Sequence, residues 1–227
     1  AQANEKSIDY ADLVNPLQGT DSSFEVSTGN TYPAVAVPWG MNFWTPQTGE
    51  MGSGWQYVYK DTSIRGFKQT HQASPWINDY GCFSIMPITG KLVTEEKARP
   101  SAFSHERENA KPYVYEVTLD TYGIDAAMTA TNSGAVMTFT YPETDQAYII
   151  IDGYRNGLMV KILPEERKIV GWSKYYTKFK NRTLPESFAT HFVITFDKDF
   201  ELFGTWSGNE VNSGTTQLET DHAGVFF

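Results

Sequence analysis

Short runs in which apolar and polar residues alternate, or β-branched residues follow one another, recur through the second half of the chain. They are Tyr113–Leu119, Ile124–Thr131, Ala135–Tyr141, Ala147–Asp152, Lys168–Trp172 and Ala189–Phe196. Successive side chains of a strand point to opposite faces, so a period of two marks a strand with one face buried. Thr138-Phe139-Thr140-Tyr141 shows that alternation directly. Turn formers separate the runs: Thr121-Tyr122-Gly123, Asn132-Ser133-Gly134, Pro142-Glu143-Thr144-Asp145 and Asp152-Gly153. No run of helical period exceeds about two turns. Parallel strands need long crossovers, usually helices, so a parallel sheet is disfavoured. The pattern predicts an all-β fold, a large antiparallel β-sandwich with few short helices.

The stretch from Asn15 to Gly90 reads differently, being rich in Gly, Pro, Trp and Tyr and poor in clean strands. Irregular segments of this kind are usually functional loops. Pro33 and Pro38 fix φ and remove donors, so the chain around them is extended and does not sit in mid-sheet. No repeat, low-complexity tract or linker divides the chain, and one domain over 1–227 is expected. The closing run His222-Ala223-Gly224-Val225-Phe226-Phe227 reads as the start of a strand, and the natural polypeptide is expected to continue beyond it.

Charge and cysteine content remove several function classes. The chain has 27 acidic and 18 basic residues, a formal net charge of −9, which repels phosphate backbones and argues against a nucleic-acid partner. No apolar stretch reaches the roughly 18 residues that a membrane-spanning helix needs. A single cysteine, Cys82, excludes an internal disulfide and a cysteine-based zinc cluster. Its apolar neighbours make it a structural thiol. The polar opening, Ala1 to Lys6, resembles a mature terminus left after processing, so secretion or a periplasmic location is expected.

One segment concentrates the chemistry of sugar binding. Within Ser63–Gly81 stand His71, Trp76, Asn78, Asp79 and Tyr80, with Pro75 and Gly81 at the ends of the loop. A flat aromatic face suits the C–H groups of a pyranose, while amides, imidazoles and carboxylates fix its hydroxyls. Each residue taken singly has a plainer reading: a satisfied histidine, a turn-capping aspartate, a core tryptophan. A paired set of carboxylates for acid–base work is not evident. Glu95-Glu96, Glu165-Glu166 and Glu106/Glu108 lie in charged stretches and read as solvated faces, and Asp79 has no carboxyl partner nearby in sequence.

Five ordered motifs carry a resemblance. Val14-Asn15-Pro16-Leu17-Gln18-Gly19-Thr20, Thr31–Met41 with its Val37-Pro38-Trp39-Gly40-Met41 end, Arg65-Gly66-Phe67 through His71, Ser74-Pro75-Trp76 through Asp79-Tyr80-Gly81, and Met86–Gly90 follow one another. Together they resemble the family-92 glycoside hydrolases, which are exo-acting α-mannosidases. Ala147–Asp152 and Gly224–Phe227 resemble later strands of the same family, so the likeness covers most of the chain. Ala73 stands where many members have Pro, Asn78 where Gly is common, and Ala34-Val35 replaces Gly-Ala.

The resemblance implies a supersandwich-like N-terminal β domain followed by a helical-barrel catalytic domain, with the active site between them. It implies inverting hydrolysis of terminal α-mannosides in mannose-containing glycans, dependent on Ca²⁺. The acid, the base and most of the calcium shell would belong to the helical domain, so no catalytic or metal residue is assigned in this chain. His71, Trp76, Asn78, Asp79 and Tyr80 are the substrate-binding candidates. An exposed apolar patch where the helical domain packs is expected, with self-association of the isolated chain as its consequence. Two other readings compete: a free-standing carbohydrate-binding module, which requires an aromatic platform that works alone, and a purely structural β-sandwich, which requires none.

Overall fold

A computed structural model describes residues 9–50, 56–70, 83–153, 157–174, 187 and 189–227. In chain order the strands are β1 (Phe43–Gln47), β2 (Ser63–Ile64), β3 (Gly66–Thr70), β4 (Phe83–Thr89), β5 (Ser101–Ala102) and β6 (Glu108–Lys111). Then come β7 (Val114–Leu119), β8 (Ile124–Ala130), β9 (Ala135–Thr140), β10 (Ala147–Gly153), β11 (Leu158–Leu163) and β12 (Lys168–Ser173). The last are β13 (Thr190–Thr195), β14 (Gly204–Ser207), β15 (Glu210–Ser213), β16 (Gln217–Thr220) and β17 (Gly224–Phe226). Among the described residues helix is confined to short 3-10 segments such as Tyr10–Leu13 and His105–Arg107. The fold is all-β, as the periodicity predicts.

The strands form a seven-stranded sheet, β1-β3-β4-β10-β17-β14-β15, two four-stranded sheets, β6-β7-β8-β9 and β13-β12-β11-β16, and the small pair β2-β5. All the pairings are antiparallel. The alternation read from the sequence is the burial pattern observed. On β7, Tyr115, Val117 and Leu119 are buried while Glu116 is exposed; on β8, Ile124, Ala126 and Met128 are buried while Asp125 is exposed. Gly123 closes the β7–β8 turn at φ +64°, a conformation in which a side chain would be strained.

The Asn15–Gly90 stretch is not as irregular as its composition suggests, since β1, β3 and β4 all lie within it. β4 escapes the period-two signature because six consecutive residues, Phe83 to Ile88, are buried. A strand covered on both faces has no polar side to alternate with. Pro87 is tolerated there because β3 pairs only with Ser84 and Ile85 and does not reach it. Pro46 lies on β1, an edge strand.

Aromatic contacts join the layers. Phe67 of β3 lies 6.5 Å from Tyr115 and 6.0 Å from Phe139, tying the large sheet to β6–β9. Phe83 and Phe192, 4.6 Å apart, tie it to the β11–β13 sheet. Phe227 packs against Phe196 at 4.4 Å and Phe200 at 5.1 Å.

One face of the large sheet carries a buried polar row. Strand register places Thr45, Lys68, Ser84, Asp152, Gly224 and Trp206 side by side across six strands. All five side chains in it are buried. Arg99, also buried, reaches Asp152 at 2.5 Å and donates to the carbonyl of Thr94 at 2.7 Å. Gly224 has no room for a side chain, because a Cβ there would stand 2.2 Å from the Ile151 carbonyl oxygen and 2.5 Å from the Trp206 ring.

Glu108 corrects the expectation that its charged stretch is a solvated face. Its side chain is wholly buried. It accepts hydrogen bonds from Tyr57 Oη at 2.8 Å and Tyr115 Oη at 2.5 Å, and His105 Nδ1 lies 2.5 Å away. The cross-strand pairing of β6 with β7, which no local pattern displays, turns it inward. Burial, reinforced by the Glu108 charge, pushes the phenols of Tyr57 and Tyr115 well above their ordinary range, and burial alone pushes Tyr141 up.

A group whose pKa is raised in the folded state contributes its full stability below the unfolded value and loses it as pH climbs towards the folded one. These tyrosines therefore make the fold alkali-sensitive. Stability should hold up to about pH 10 and then fall by about 1.4 kcal/mol per pH unit for each tyrosine ionised only on unfolding. Urea titrations at increasing pH check this, and the Tyr57→Phe/Tyr115→Phe variant should show a shallower alkaline decline. Identical slopes in the two proteins would refute the assignment.

Candidate functional site

The antiparallel order of the large sheet collects a particular set of loops at one of its ends. β1 begins there, since Phe43 pairs with Thr70 at the end of β3. β4 begins and β10 finishes there, where Phe83 pairs with Gly153. The Gly153 N–H donates to the Ala223 carbonyl at 2.9 Å, bringing in the turn before β17. The segment 71–82 connects β3 to β4 and so begins and finishes at this same end.

His71, Trp76, Asn78, Asp79 and Tyr80, together with Cys82, lie outside the described residues. What is described is their anchorage. Thr70 precedes the segment, buried, and its hydroxyl is 3.4 Å from that of buried Tyr32. Phe83 follows it, also buried.

Exposed apolar side chains gather around the same end. Trp39 is 100% exposed and Met41 77%, three and one residues before Asn42, which leads into β1. Their loop is fastened to the tips of the β6–β9 sheet: Met41 N–H donates to the Asn132 carbonyl at 2.8 Å, Asn42 Nδ2 to Ser133 at 3.0 Å, and Ala36 N–H to Pro112 at 3.2 Å. Tyr113, 48% exposed, is next to Pro112, and Lys111 pairs at 3.0 Å with Asp12 in the Tyr10–Leu13 turn, which exposes Tyr10 and Leu13. Apolar residues grouped on a surface in this way mark a binding or docking face.

Trp39 also sits at φ +64°, a left-handed conformation that disfavours every residue but glycine. A fully exposed ring in a strained backbone gives the isolated fold nothing in return. Trp39→Gly should therefore stabilise the isolated chain, by roughly 0.5–1 kcal/mol. A denaturation midpoint lower than the parent's would show that the ring contributes to the fold and is not reserved for a partner.

The opposite end of the large sheet, beyond Gln47, holds a concavity of about 500 Å³ lined by Asp21, Tyr59, Lys60, Asp61, Phe103 and His105. Tyr59 stacks flat on His105, with ring centroids 3.8 Å apart. The second ring nitrogen of His105 is 2.8 Å from the Tyr59 carbonyl oxygen. Glu108, a buried carboxylate beneath the stack, is engaged by two phenols and His105. Asp152 is likewise engaged, by Arg99 and by His222 Nε2 at 3.2 Å. Among the described residues, no group of three or more His, Cys, Asp or Glu side chains could hold a metal ion. No described helix is long and apolar enough to cross a membrane.

Sequence reading singled out neither His222 nor the Arg99–Asp152 pair. The signal for Asp152 was an acid closing an apolar strand, Ile149-Ile150-Ile151-Asp152; His222 and Arg99 carried none.

The chain matches the family profile "Glycosyl hydrolase family 92 N-terminal domain" over residues 13–227. It superposes on the family GH92 inverting mannosidase BT2199 of Bacteroides thetaiotaomicron VPI-5482 with TM-score 0.89 and 46% identity, covering 98% of this chain and 29% of that one. The family GH92 α-mannosidase BT3965 of Bacteroides thetaiotaomicron gives TM-score 0.81 at 24% identity, with 97% and 31% covered. The GH92 family glycosyl hydrolase ccman5 gives 0.72 at 19%, with 96% and 30% covered. At these lower identities the likeness concerns the fold. No curated protein sequence matches. The chain thus spans about three-tenths of the length of these solved relatives. It belongs to glycosyl hydrolase family 92, as an N-terminal domain of that family.

Proposed function

We propose that the chain is the N-terminal domain of a secreted or periplasmic, calcium-dependent, inverting exo-α-mannosidase, and that it supplies the sandwich side of the sugar subsite. The observation that carries this reading is the convergence at one sheet end of the 71–82 connection with exposed Trp39, Met41 and Tyr113. That end offers a site edge and an apolar face for a helical catalytic domain in the remainder of the protein. The likeness to an inverting mannosidase at 46% identity supports the reaction class.

In this reading Trp76 lies under the C–H face of a terminal mannose, while His71, Asn78, Asp79 and Tyr80 hold hydroxyls directly or through water. The proton-transferring carboxylates and the calcium ligands come from the rest of the protein. When bound, Ca²⁺ supplies positive charge that helps distort the sugar. The part of this chain is to bind, orient and exclude water.

The test is product stereochemistry. The full-length protein, given an aryl α-mannoside in the presence of Ca²⁺, should release β-mannose first, seen by proton NMR before mutarotation. Release of α-mannose, or no release of mannose, would overturn the proposal.

A further inference from the structure

Resting on that reading, we propose that the concavity beyond Gln47 is an additional glycan-binding surface, which holds a neutral stretch of mannose-containing chain without cleaving it. The concavity measures about 500 Å³, and described residues alone line it: segments 59–62 and 103–106, and Asp21. Backbone bonds fix these walls to one another. Phe103 N–H donates to the Thr62 carbonyl at 3.3 Å, and Tyr59 N–H to the Thr20 carbonyl at 3.1 Å. The pairing of β2 with β5 continues the seam between the two longer walls.

Three rings belong to the lining. Tyr59 lies flat on His105, 3.8 Å between centroids and 1° between planes, and Phe103 stands edge-on to His105 at 5.2 Å and 86°. The imidazole is fastened at both nitrogens, with Nδ1 2.5 Å from Glu108 and Nε2 2.8 Å from the Tyr59 carbonyl oxygen. Glu108 is wholly buried and also accepts from the phenols of Tyr57 and Tyr115. Burying such a carboxylate is a poor way to gain stability, because desolvation offsets most of the Coulomb attraction. It does fix an imidazole that is 31% exposed and, through it, the stacked Tyr59. Rings fixed in advance lose little entropy when a ligand settles against them.

The polar part of the lining selects the ligand class. Asp61 and Glu106 accept hydrogen bonds, whereas Lys60 donates them. Among the described residues neither carboxylate has an ion pair or a side-chain hydrogen bond, while Lys60 lies 3.3 Å from Asp21. A pyranose meets all of these demands, because its hydroxyls both donate and accept and its C–H face suits an aromatic ring. The carboxylates repel an acidic or phosphorylated glycan, so the bound stretch is neutral. The concavity is open to solvent, which suits the flank of a long chain. A second hold on such a chain raises the local concentration of its ends around the enzyme.

The experiment compares the full-length enzyme with its Tyr59→Ala and Asp61→Asn/Glu106→Gln variants, on neutral α-mannan and on an aryl α-mannoside. On mannan each variant should raise KM about fivefold and leave kcat unchanged. On the aryl mannoside, too short to engage a second surface, both constants should stay within about twofold of the parent's. With Ca²⁺ chelated to stop turnover, native gels containing the mannan should retard the parent more than either variant. That retardation should be the same in about 0.1 M and about 1 M salt, since a neutral ligand is insensitive to screening. Parental KM on mannan in either folded variant, or an equal loss on both substrates, would overturn the proposal. Retardation abolished by salt would also overturn it, marking the concavity as a site for a cationic partner. The Asp61→Asn/Glu106→Gln variant keeps the shape of both side chains and decides the case where Tyr59→Ala does not fold. A parental enzyme that hydrolyses no α-mannoside would instead overturn the α-mannosidase reading on which this one rests.

Discussion

The 227-residue chain alone should release no mannose from aryl or disaccharide α-mannosides, with or without Ca²⁺, while the full-length protein does so. Among the described residues the buried carboxylates are Glu108 and Asp152, and both are saturated by their own partners. An inverting mechanism needs two carboxyls about 6.5–9.5 Å apart, free to act on the sugar and on water. In the full-length enzyme, Trp76→Ala and Asp79→Ala should each lower kcat/KM by roughly tenfold or more, about 1.4 kcal/mol of transition-state binding. Steady-state kinetics on folded variants measure this. Turnover by the isolated chain that Asp79→Asn abolishes would place the chemistry in this domain. Parental kinetics in both alanine variants would reduce the 71–82 connection to a packing element.

The second large effect concerns stability. Replacing Arg99 with methionine leaves the Asp152 carboxylate buried with only the exposed His222 beside it. Removing one partner of a buried pair typically costs about 3–5 kcal/mol, which for a domain of this size lowers the thermal midpoint by roughly 6–20 °C. The joint variant Arg99→Met/Asp152→Leu should recover much of that loss, because no uncompensated charge remains. Calorimetry on the three proteins separates the cases. A single Arg99→Met variant melting with the parent would mean that the pair is hydrated in solution and contributes little.

The exposed apolar end carries a related expectation. Tyr10, Leu13, Trp39, Met41 and Tyr113 are accessible in the chain described. Sedimentation of the isolated chain should show association that rises with concentration and weakens when Trp39 and Met41 are made polar. A strictly monomeric profile would argue that these side chains are too dispersed to form a docking face.

Much of the architecture was legible in the chain itself. Strands β7 to β10, β12 and β13 appear where alternating or β-branched runs placed them, whereas β11 (Leu158–Leu163) was not read from the sequence. β4 was less legible, since a strand buried on both faces carries no period. The family was also legible, because five motifs rich in Gly, Pro and aromatic residues follow one another in a fixed order along the chain.

The sequence alone determined the all-β class, the antiparallel order implied by short turns, and the clustering of sugar-binding side chain types within Ser63–Gly81. Only the tertiary structure decided which distant residues meet. Arg99, Asp152 and His222 are separated by 53 and 70 positions along the chain, and register across β4, β10 and β17 brings the last two together. Glu108 is turned inward by pairing with β7, against the polar character of its neighbours. Local pattern reports which face of a strand is apolar. It does not report which strand lies beside it, because pairing depends on sheet order, and that order is fixed by burial summed over the whole core.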